Sequence, residues 1–286
     1  MIIAKTIDEV RKQVREWKNE GLTVGLCPTM GFLHEGHASL MKASHEQCDR
    51  TVASVFVNPI QFGPNEDLDT YPRDFEHDCK IMEEAGVDMV FHPEVSEMYE
   101  EDLCTYVDID VLSETLCGAS RAGHFRGVCT VVSKLFNIVT PDKAFFGKKD
   151  AQQLAIIKRM VRDLSFGIEI VGCPIVRESD GLAKSSRNTY LSEEERKAAL
   201  ILSKTIRMGQ TLVSGGERDS LRLREAMMVK LASEPLASPE YVEVVDGSTM
   251  QPVETFKEGD LVAMAVRIGD TRLIDNFFVG DPAIEI

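Results

Sequence analysis

Long apolar runs are missing from this 286-residue sequence. None approaches the roughly 20 residues that a membrane-spanning helix needs, so no membrane partner is expected. The opening Met1-Ile2-Ile3-Ala4-Lys5 lacks the architecture of a signal peptide, and cytoplasmic residence is the expectation. The seven cysteines are odd in number and widely spaced, and they contain no Cys-x-x-Cys pair. That pattern argues against a disulfide framework and against a zinc knuckle. Excess basic charge is also lacking: the formal net charge is −15, which disfavours non-specific binding to nucleic acid. No internal repeat or low-complexity tract is present. What remains is a chain of 43% hydrophobic and 28% charged residues, ordinary for one large globular domain or two modest ones.

The charge is unevenly distributed. Residues 65–118 hold 17 acidic and 2 basic residues, whereas residues 119–162 hold 9 basic and 2 acidic. Two solvated faces of opposite sign would explain this, as would a second segment that supplies cations to an anionic ligand.

Helical spacing runs from Ile7 to Glu20, and the apolar run Leu22–Cys27 follows as a strand. Helices are expected at Ala38–Cys48, Arg73–Ala85, Val128–Val139 and Asp150–Leu164, alternating with strands at Thr51–Val57, Val87–Phe91, Lys143–Phe146 and Ile168–Val176. This alternation implies βαβ units and a parallel sheet, whose ligands bind at the carboxyl ends of strands. After about residue 177 the pattern changes to two helices, Glu193–Val213 and Ser220–Ser233, followed by closely linked strands at Tyr241–Val245, Leu261–Ile268 and Thr271–Val279. The expectation is an α/β protein with a Rossmann-like parallel-sheet N-terminal domain over residues 1–176 and a smaller α+β C-terminal domain over residues 177–286.

Four segments carry the chemistry. Pro28-Thr29-Met30-Gly31-Phe32-Leu33-His34-Glu35-Gly36-His37 lies where the first long strand hands over to a helix. A helix N-terminus there offers backbone N–H groups and a positive dipole end to phosphate, and histidines can donate to charge developing on a phosphoryl group. His-x-x-His also suits a metal pair or two structural histidines, but the flanking strand, glycines and helix favour phosphate. A zincin needs a different spacing, His-Glu-x-x-His. Asn58-Pro59-Ile60-Gln61-Phe62-Gly63 reads either as a plain turn or as a turn that aims Gln61 into the same crevice. Phe145-Phe146-Gly147-Lys148-Lys149-Asp150 places two cations at a strand end, with Gln152 and Gln153 on the helix turn that follows. Asp180-Gly181-Leu182-Ala183-Lys184-Ser185-Ser186-Arg187-Asn188 is either a polar linker or a mobile clamp that closes on polyphosphate.

In this order, together with Tyr71-Pro72-Arg73 and Arg177-Glu178, these segments resemble the pantothenate synthetase family, within the nucleotidyltransferase superfamily that carries His-x-Gly-His. The resemblance implies condensation of (R)-pantoate with β-alanine, using Mg²⁺ and ATP, the latter as substrate, and releasing AMP and pyrophosphate. It implies that Met30, Gly31, Phe32, Leu33, His34, Glu35, Gly36 and His37 line the ATP and pantoate pockets, with His37 as proton donor; ATP is the substrate consumed and Mg²⁺ is not. It places Gln61 and Gln153 on pantoate, with Gln61 also facing β-alanine. Gly147, Lys148, Lys149 and Asp150 would contact ATP, Lys149 through phosphate. Val176 would meet the nucleotide through its backbone, and Lys184, Ser185, Ser186 and Arg187 would form the clamp. Arg121 and Tyr71 fall on positions that line the family's site. The metal would be held mainly by ATP phosphates, and a homodimer is implied. The position of Lys184 is commonly Met in the family; a cation there either adds to triphosphate binding or points to solvent.

Two other readings share the phosphate chemistry: a nucleotidyltransferase that stops at a nucleotide-linked product, and a nucleotide-sensing module without turnover. Neither the ligase nor the transferase needs a protein nucleophile, so no cysteine is expected to be essential.

Overall fold

The structure, a computed structural model, describes residues 1–64 and 66–284. Residue 65, the first of the acidic segment, and residues 285 and 286 lie outside the described residues. The chain divides into two compact units. The first holds Met1–Ile109, Arg121–Lys148 and Ile156–Pro174; the second holds Asp110–Ser120, Lys149–Ala155 and Ile175–Ile286. The second unit therefore takes in two short segments from the middle of the sequence.

In chain order the first three-quarters of the sequence forms β1 (Ile2–Ala4), α1 (Ile7–Asn19), β2 (Val24–Thr29), α2 (Glu35–Gln47), β3 (Arg50–Val55), α3 (Phe75–Glu84), β4 (Met89–Phe91), α4 (Val95–Met98), α5 (Leu116–Ser120), α6 (His124–Val139), β5 (Lys143–Gly147), α7 (Ala151–Asp163), β6 (Glu169–Cys173), α8 (Glu193–Ala198) and α9 (Leu200–Ser214). The remainder is α10 (Ser220–Leu231), β7 (Ala237–Val245), β8 (Leu261–Ile268) and β9 (Thr271–Phe278).

The six strands of the first unit form one sheet in the order β1-β4-β3-β2-β5-β6, every pair parallel. Parallel strands are shielded by helices, which is why their sequences read as apolar runs. Cys27, Val55, Val90 and Phe145 pack with Leu40 and Met41 of α2 and Met82 of α3 in one buried cluster. From β2 the chain moves outward to β3 and then β4, and later returns to place β5 on the other side of β2. That reversal is the topological switch point, where ligands of open α/β sheets bind beyond the strand ends. Met30–His37 leaves the carboxyl end of β2, and Lys148 follows the carboxyl end of β5.

The second unit is built on the antiparallel sheet β7-β8-β9. Val242, Met264, Leu273 and Phe277 face a core shared with Leu202 and Ile206 of α9 and Leu223 and Met227 of α10. The alternate residues of the same strands face the other way, and on that side Tyr241, Arg272 and Asn276 meet residues 117 and 149. The sheet thus has α9 and α10 on one face and the two mid-sequence segments on the other.

Several boundaries differ from the sequence reading for identifiable reasons. Helix α2 begins at Glu35, not Ala38, because His34 caps it. The single helix expected from Glu193 is split at Ala199 into α8 and α9. β7 starts at Ala237 although Pro235–Pro239 reads as a loop: Pro239 is accommodated on an edge strand at an irregularity in register before Tyr241.

Candidate active site

The turn after β2 is strained and held by one carboxylate. Gly31 has φ +85° and Phe32 has φ 51°, both in the left-handed region. A Cβ at Gly31 would lie 2.9 Å from Oδ2 of Asp78 on α3, so glycine is needed for space as well as for φ. Asp78, 1% exposed, accepts from the N–H groups of Phe32 at 2.9 Å and Leu33 at 2.6 Å. Burial pushes its carboxyl above the ordinary range, while those two N–H groups pull it back down. Thr29 closes the turn, donating through Oγ1 to the carbonyl of Ser54 at 2.7 Å and accepting from Gly31 N–H.

The two histidines then cap α2 reciprocally. Gly36 N–H donates to His34 Nδ1 at 3.1 Å, and His34 N–H donates to His37 Nδ1 at 3.3 Å. This is a capping box built from imidazoles in place of Ser and Glu. Each Nδ1 is an acceptor, so in the neutral rings the hydrogen-bond pattern assigns the proton to Nε2. The ring centroids are 4.1 Å apart. The N–H of His37 also bonds internally, to the carbonyl of His34 at 2.9 Å. Two of the N–H groups expected to greet phosphate, those of Gly36 and His37, are therefore engaged within the turn.

Gln61 follows β3 on a short turn and reaches the same place: its Nε2 lies 3.2 Å from Met30 Sδ. Tyr99 OH donates to Asn58 Oδ1 at 2.8 Å, and Asn58 Nδ2 donates to Gln61 Oε1 at 2.9 Å. Burial pushes the Tyr99 hydroxyl pKa up, so it stays a donor. The relay fixes the amide of Gln61 with its NH₂ group toward Met30. His124 Nδ1 bonds the carbonyl of Gln61 at 2.9 Å, and Arg121 donates to His124 Nε2 at the same distance. Arg121 also grips Glu66 through two nitrogens at 2.6 and 2.8 Å. Although burial alone would raise the Glu66 carboxyl, the hydrogen bonds and charge of Arg121 hold it at about 2. Tyr71 is buried, its ring edge-on to Phe62.

Gly127 of α6 lies against the backbone of this turn: an added Cβ would sit 2.5 Å from Gln61 Cα and 2.5 Å from Ile60 O. Gly127→Ala is expected to lower stability by about 1–3 kcal/mol, the usual range for overpacking, and to raise KM for the substrate that the resemblance assigns to Gln61. Thermal unfolding and a substrate titration check both effects; an unchanged melting temperature would show that the turn yields freely.

The second unit carries the other residues. Lys149 and Asp150 sit on a 3₁₀ turn, with Lys149 Nζ 3.7 Å from Asp150 Oδ2. Gln152 is buried and structural: it donates to the carbonyls of Leu112 and Thr115, both at 2.8 Å, and accepts from Cys117 N–H at 2.9 Å. Gln153 is half-buried on the same helical turn. The clamp segment is an ordered hairpin. Lys184 N–H donates to the carbonyl of Val176 at 2.9 Å, and Arg177 bridges Ala183. Lys184 Nζ pairs with Glu178 at 3.2 Å. Ser185 caps the turn Ser186–Tyr190 by accepting from Arg187 N–H. Asp180 pairs with Arg196, and Arg177 with Asp275. Among the described residues no group of three or more His, Cys, Asp or Glu is placed to hold a metal ion, and no helix is long and apolar enough to cross a membrane.

Sequence reasoning missed Asp78, Asn58, Tyr99, Glu66 and the pair Asp275–Asn276. Only the last left a local signal: two adjacent polar residues in an otherwise apolar strand, Leu273-Ile274-Asp275-Asn276-Phe277-Phe278.

A parallel sheet with His-x-Gly-His at its switch point defines a nucleotidyltransferase-type α/β enzyme. The sequence pattern of the pantoate–beta-alanine ligase family matches residues 2–278, and the chain belongs to that family. It is 56% identical to the pantothenate synthetase of Clostridium acetobutylicum over 97% of this chain and 99% of that one. It is 59% identical to that of Ruminiclostridium cellulolyticum, over 96% and 98%. A crystal structure of pantothenate synthetase from Thermus thermophilus superposes with a TM-score of 0.92 at 43% identity, covering 98% and 99% of the two chains. The pantoate–beta-alanine ligase from Francisella tularensis, complexed with beta-gamma ATP and beta-alanine, gives 0.81 at 30% identity, covering 99% and 100%. The chain is accordingly an ATP-dependent ligase that joins pantoate to β-alanine.

Proposed function

We propose that the reaction runs through a pantoyl-adenylate and that the sequence-assigned residues hold it in the following way. A carboxylate is a poor acyl donor, so pantoate must first be activated. Its carboxylate oxygen attacks the α-phosphorus of MgATP in line, the bond to the β,γ-phosphates breaks, and pyrophosphate leaves. The neutral amine of β-alanine then attacks the acyl carbon and expels AMP. Charge grows on phosphoryl oxygens in the first step, and preorganised donors stabilise it. His34 and His37 supply Nε2–H donors, Lys149 a cation, and Ser185, Ser186 and Arg187 a clamp. Met30 to His37, Gly147 to Asp150, Val176 and Lys184 line the nucleotide. Gln61 and Gln153 hold pantoate, Gln61 with its NH₂ group already oriented by Asn58. Magnesium enters as part of MgATP, held by the phosphates. Seven unpaired thiols suit a reducing compartment, the cytoplasm.

The observation that carries this reading is the reciprocal imidazole cap, which fixes two donors at the switch point of the sheet. The test is stepwise product release. Pyrophosphate is expected from MgATP with (R)-pantoate alone, and sustained AMP release only once β-alanine is added. A folded, ATP-binding protein that releases no pyrophosphate with pantoate overturns the two-step scheme.

A further inference from the structure

Neighbouring residues of a strand point to opposite faces, and β9 uses this to reach two parts of the second unit at once. Asp275 shares the core face with Leu273 and Phe277 and is 1% exposed. It receives Arg177 through two nitrogens, at 2.7 and 2.9 Å. Arg177 also donates to the carbonyl of Gly181 at 3.1 Å, so it braces the hairpin that leads to Ser185, Ser186 and Arg187. Asn276, 4% exposed, faces the other way and donates through Nδ2 to the carbonyl of Lys149 at 2.7 Å. The two side chains are linked in turn, since Asn276 N–H donates to Asp275 Oδ1 at 2.8 Å.

We infer that Asp275 and Asn276 are positioning residues for the first half-reaction: one strand sets the lysine turn and the serine–arginine hairpin in a common frame. Each side chain acts through another residue. Asn276 fixes the backbone from which the Lys149 ammonium extends, and Asp275 fixes the base of the hairpin through Arg177. The reason for such a frame is geometric. Donors to a transferring phosphoryl group act only if each is placed within a fraction of an ångström, and a misplacement of about 1 Å can cost on the order of 10²-fold in rate. A lysine with several rotatable bonds gains that placement only if its backbone is held.

The inference rests on the assignment of Lys149 and residues 185–187 to the phosphates, so Lys149→Ala is measured beside it. Asn276→Ala is the working variant, because it removes the neutral hydrogen bond to the Lys149 carbonyl and leaves the Arg177–Asp275 pair whole. Asn276→Asp keeps the shape and removes the donor. For the folded fraction of each, two rates are read: pantoate-dependent pyrophosphate release, and β-alanine-dependent AMP release from added pantoyl-adenylate. Asn276→Ala is expected to lower kcat for pyrophosphate release by about 10- to 100-fold, to change KM for ATP less, and to leave the second step within about threefold. Asn276→Asp is expected to follow Ala. Equal losses in both steps, a first step within about twofold of the parent, or an Asp variant that retains full activity overturns the inference. If Lys149→Ala itself is near normal, the phosphate assignment falls; if Lys149→Ala is crippled and Asn276→Ala is not, only the positioning role falls.

Discussion

Asp275→Ala is expected to destabilise the second unit by about 3–5 kcal/mol, the loss typical of removing one partner from a buried ion pair. The carboxylate is 1% exposed and the Arg177 side chain 14%, so water cannot replace the missing acceptor. Alanine leaves a guanidinium with no counter-charge beneath the sheet, and the N–H of Asn276 also loses its acceptor. For a unit of this size the loss corresponds to a fall in melting temperature of roughly 10–20 °C. Two comparisons separate the mechanism from general fragility. Arg196 bonds both oxygens of Asp180 through one nitrogen, and these side chains are 30% and 40% exposed. Breaking it is expected to cost no more than about 1 kcal/mol, since solvent screens an exposed pair. The double variant Arg177→Met, Asp275→Leu removes both charges and fills the volume, and is expected to recover most of the loss because no unpaired charge remains buried. An Asp275→Ala protein that melts within about 2 °C of the parent, or a double variant no better than the single, would refute the buried-charge argument.

The parallel sheet was legible because its strands are apolar runs at βαβ spacing, and the helices because their apolar residues recur at 3.6. The polar segments could be placed at strand carboxyl ends from the sequence, but the switch point could not, because it depends on the strand order β1-β4-β3-β2-β5-β6. The start of α2 was not legible. Capping is normally read from Ser, Thr, Asp or Asn, and here imidazole nitrogens do the capping, so the helix begins three residues before the expected Ala38. The sequence reading offered both backbone N–H groups and histidine donors at this turn, and the structure engages the N–H groups of Gly36 and His37 within it. Lys184 shows the same limit: its partner Glu178 is six residues away across a hairpin, and periodicity carries no information about that pairing. Asp78, Asn58, Tyr99 and Asp275 act over 41 to 98 residues of sequence separation. Their roles follow from which strands become neighbours, which one sequence does not state. The adjacent polar pair Asp275-Asn276 was the exception, since a break in an apolar strand is visible without coordinates.

Lys149→Ala is expected to reduce pantoate-dependent pyrophosphate release by about 10²–10³-fold, equivalent to the 3–4 kcal/mol that one preorganised charge donor contributes to a transition state. The fold gives no reason for a structural loss. Lys149 is tied in by its carbonyl, which the substitution keeps, and its ammonium makes only a 3.7 Å pairing with a half-exposed Asp150. The melting temperature should therefore stay within about 2 °C. The loss should fall on kcat more than on KM for ATP, because charge on the bridging and equatorial oxygens is greatest as pyrophosphate departs. AMP release from added pantoyl-adenylate, in which no pyrophosphate leaves, should fall far less. Lys149→Arg is expected to restore only part of the rate: the charge returns, but a planar guanidinium cannot occupy the place of a compact ammonium. Near-normal pyrophosphate release by the alanine variant would remove Lys149 from the phosphates. A fall confined to KM would make it a residue that binds ATP equally in the ground and transition states. Only the split between the two half-reactions identifies it as a group acting on the charge that develops during adenylation.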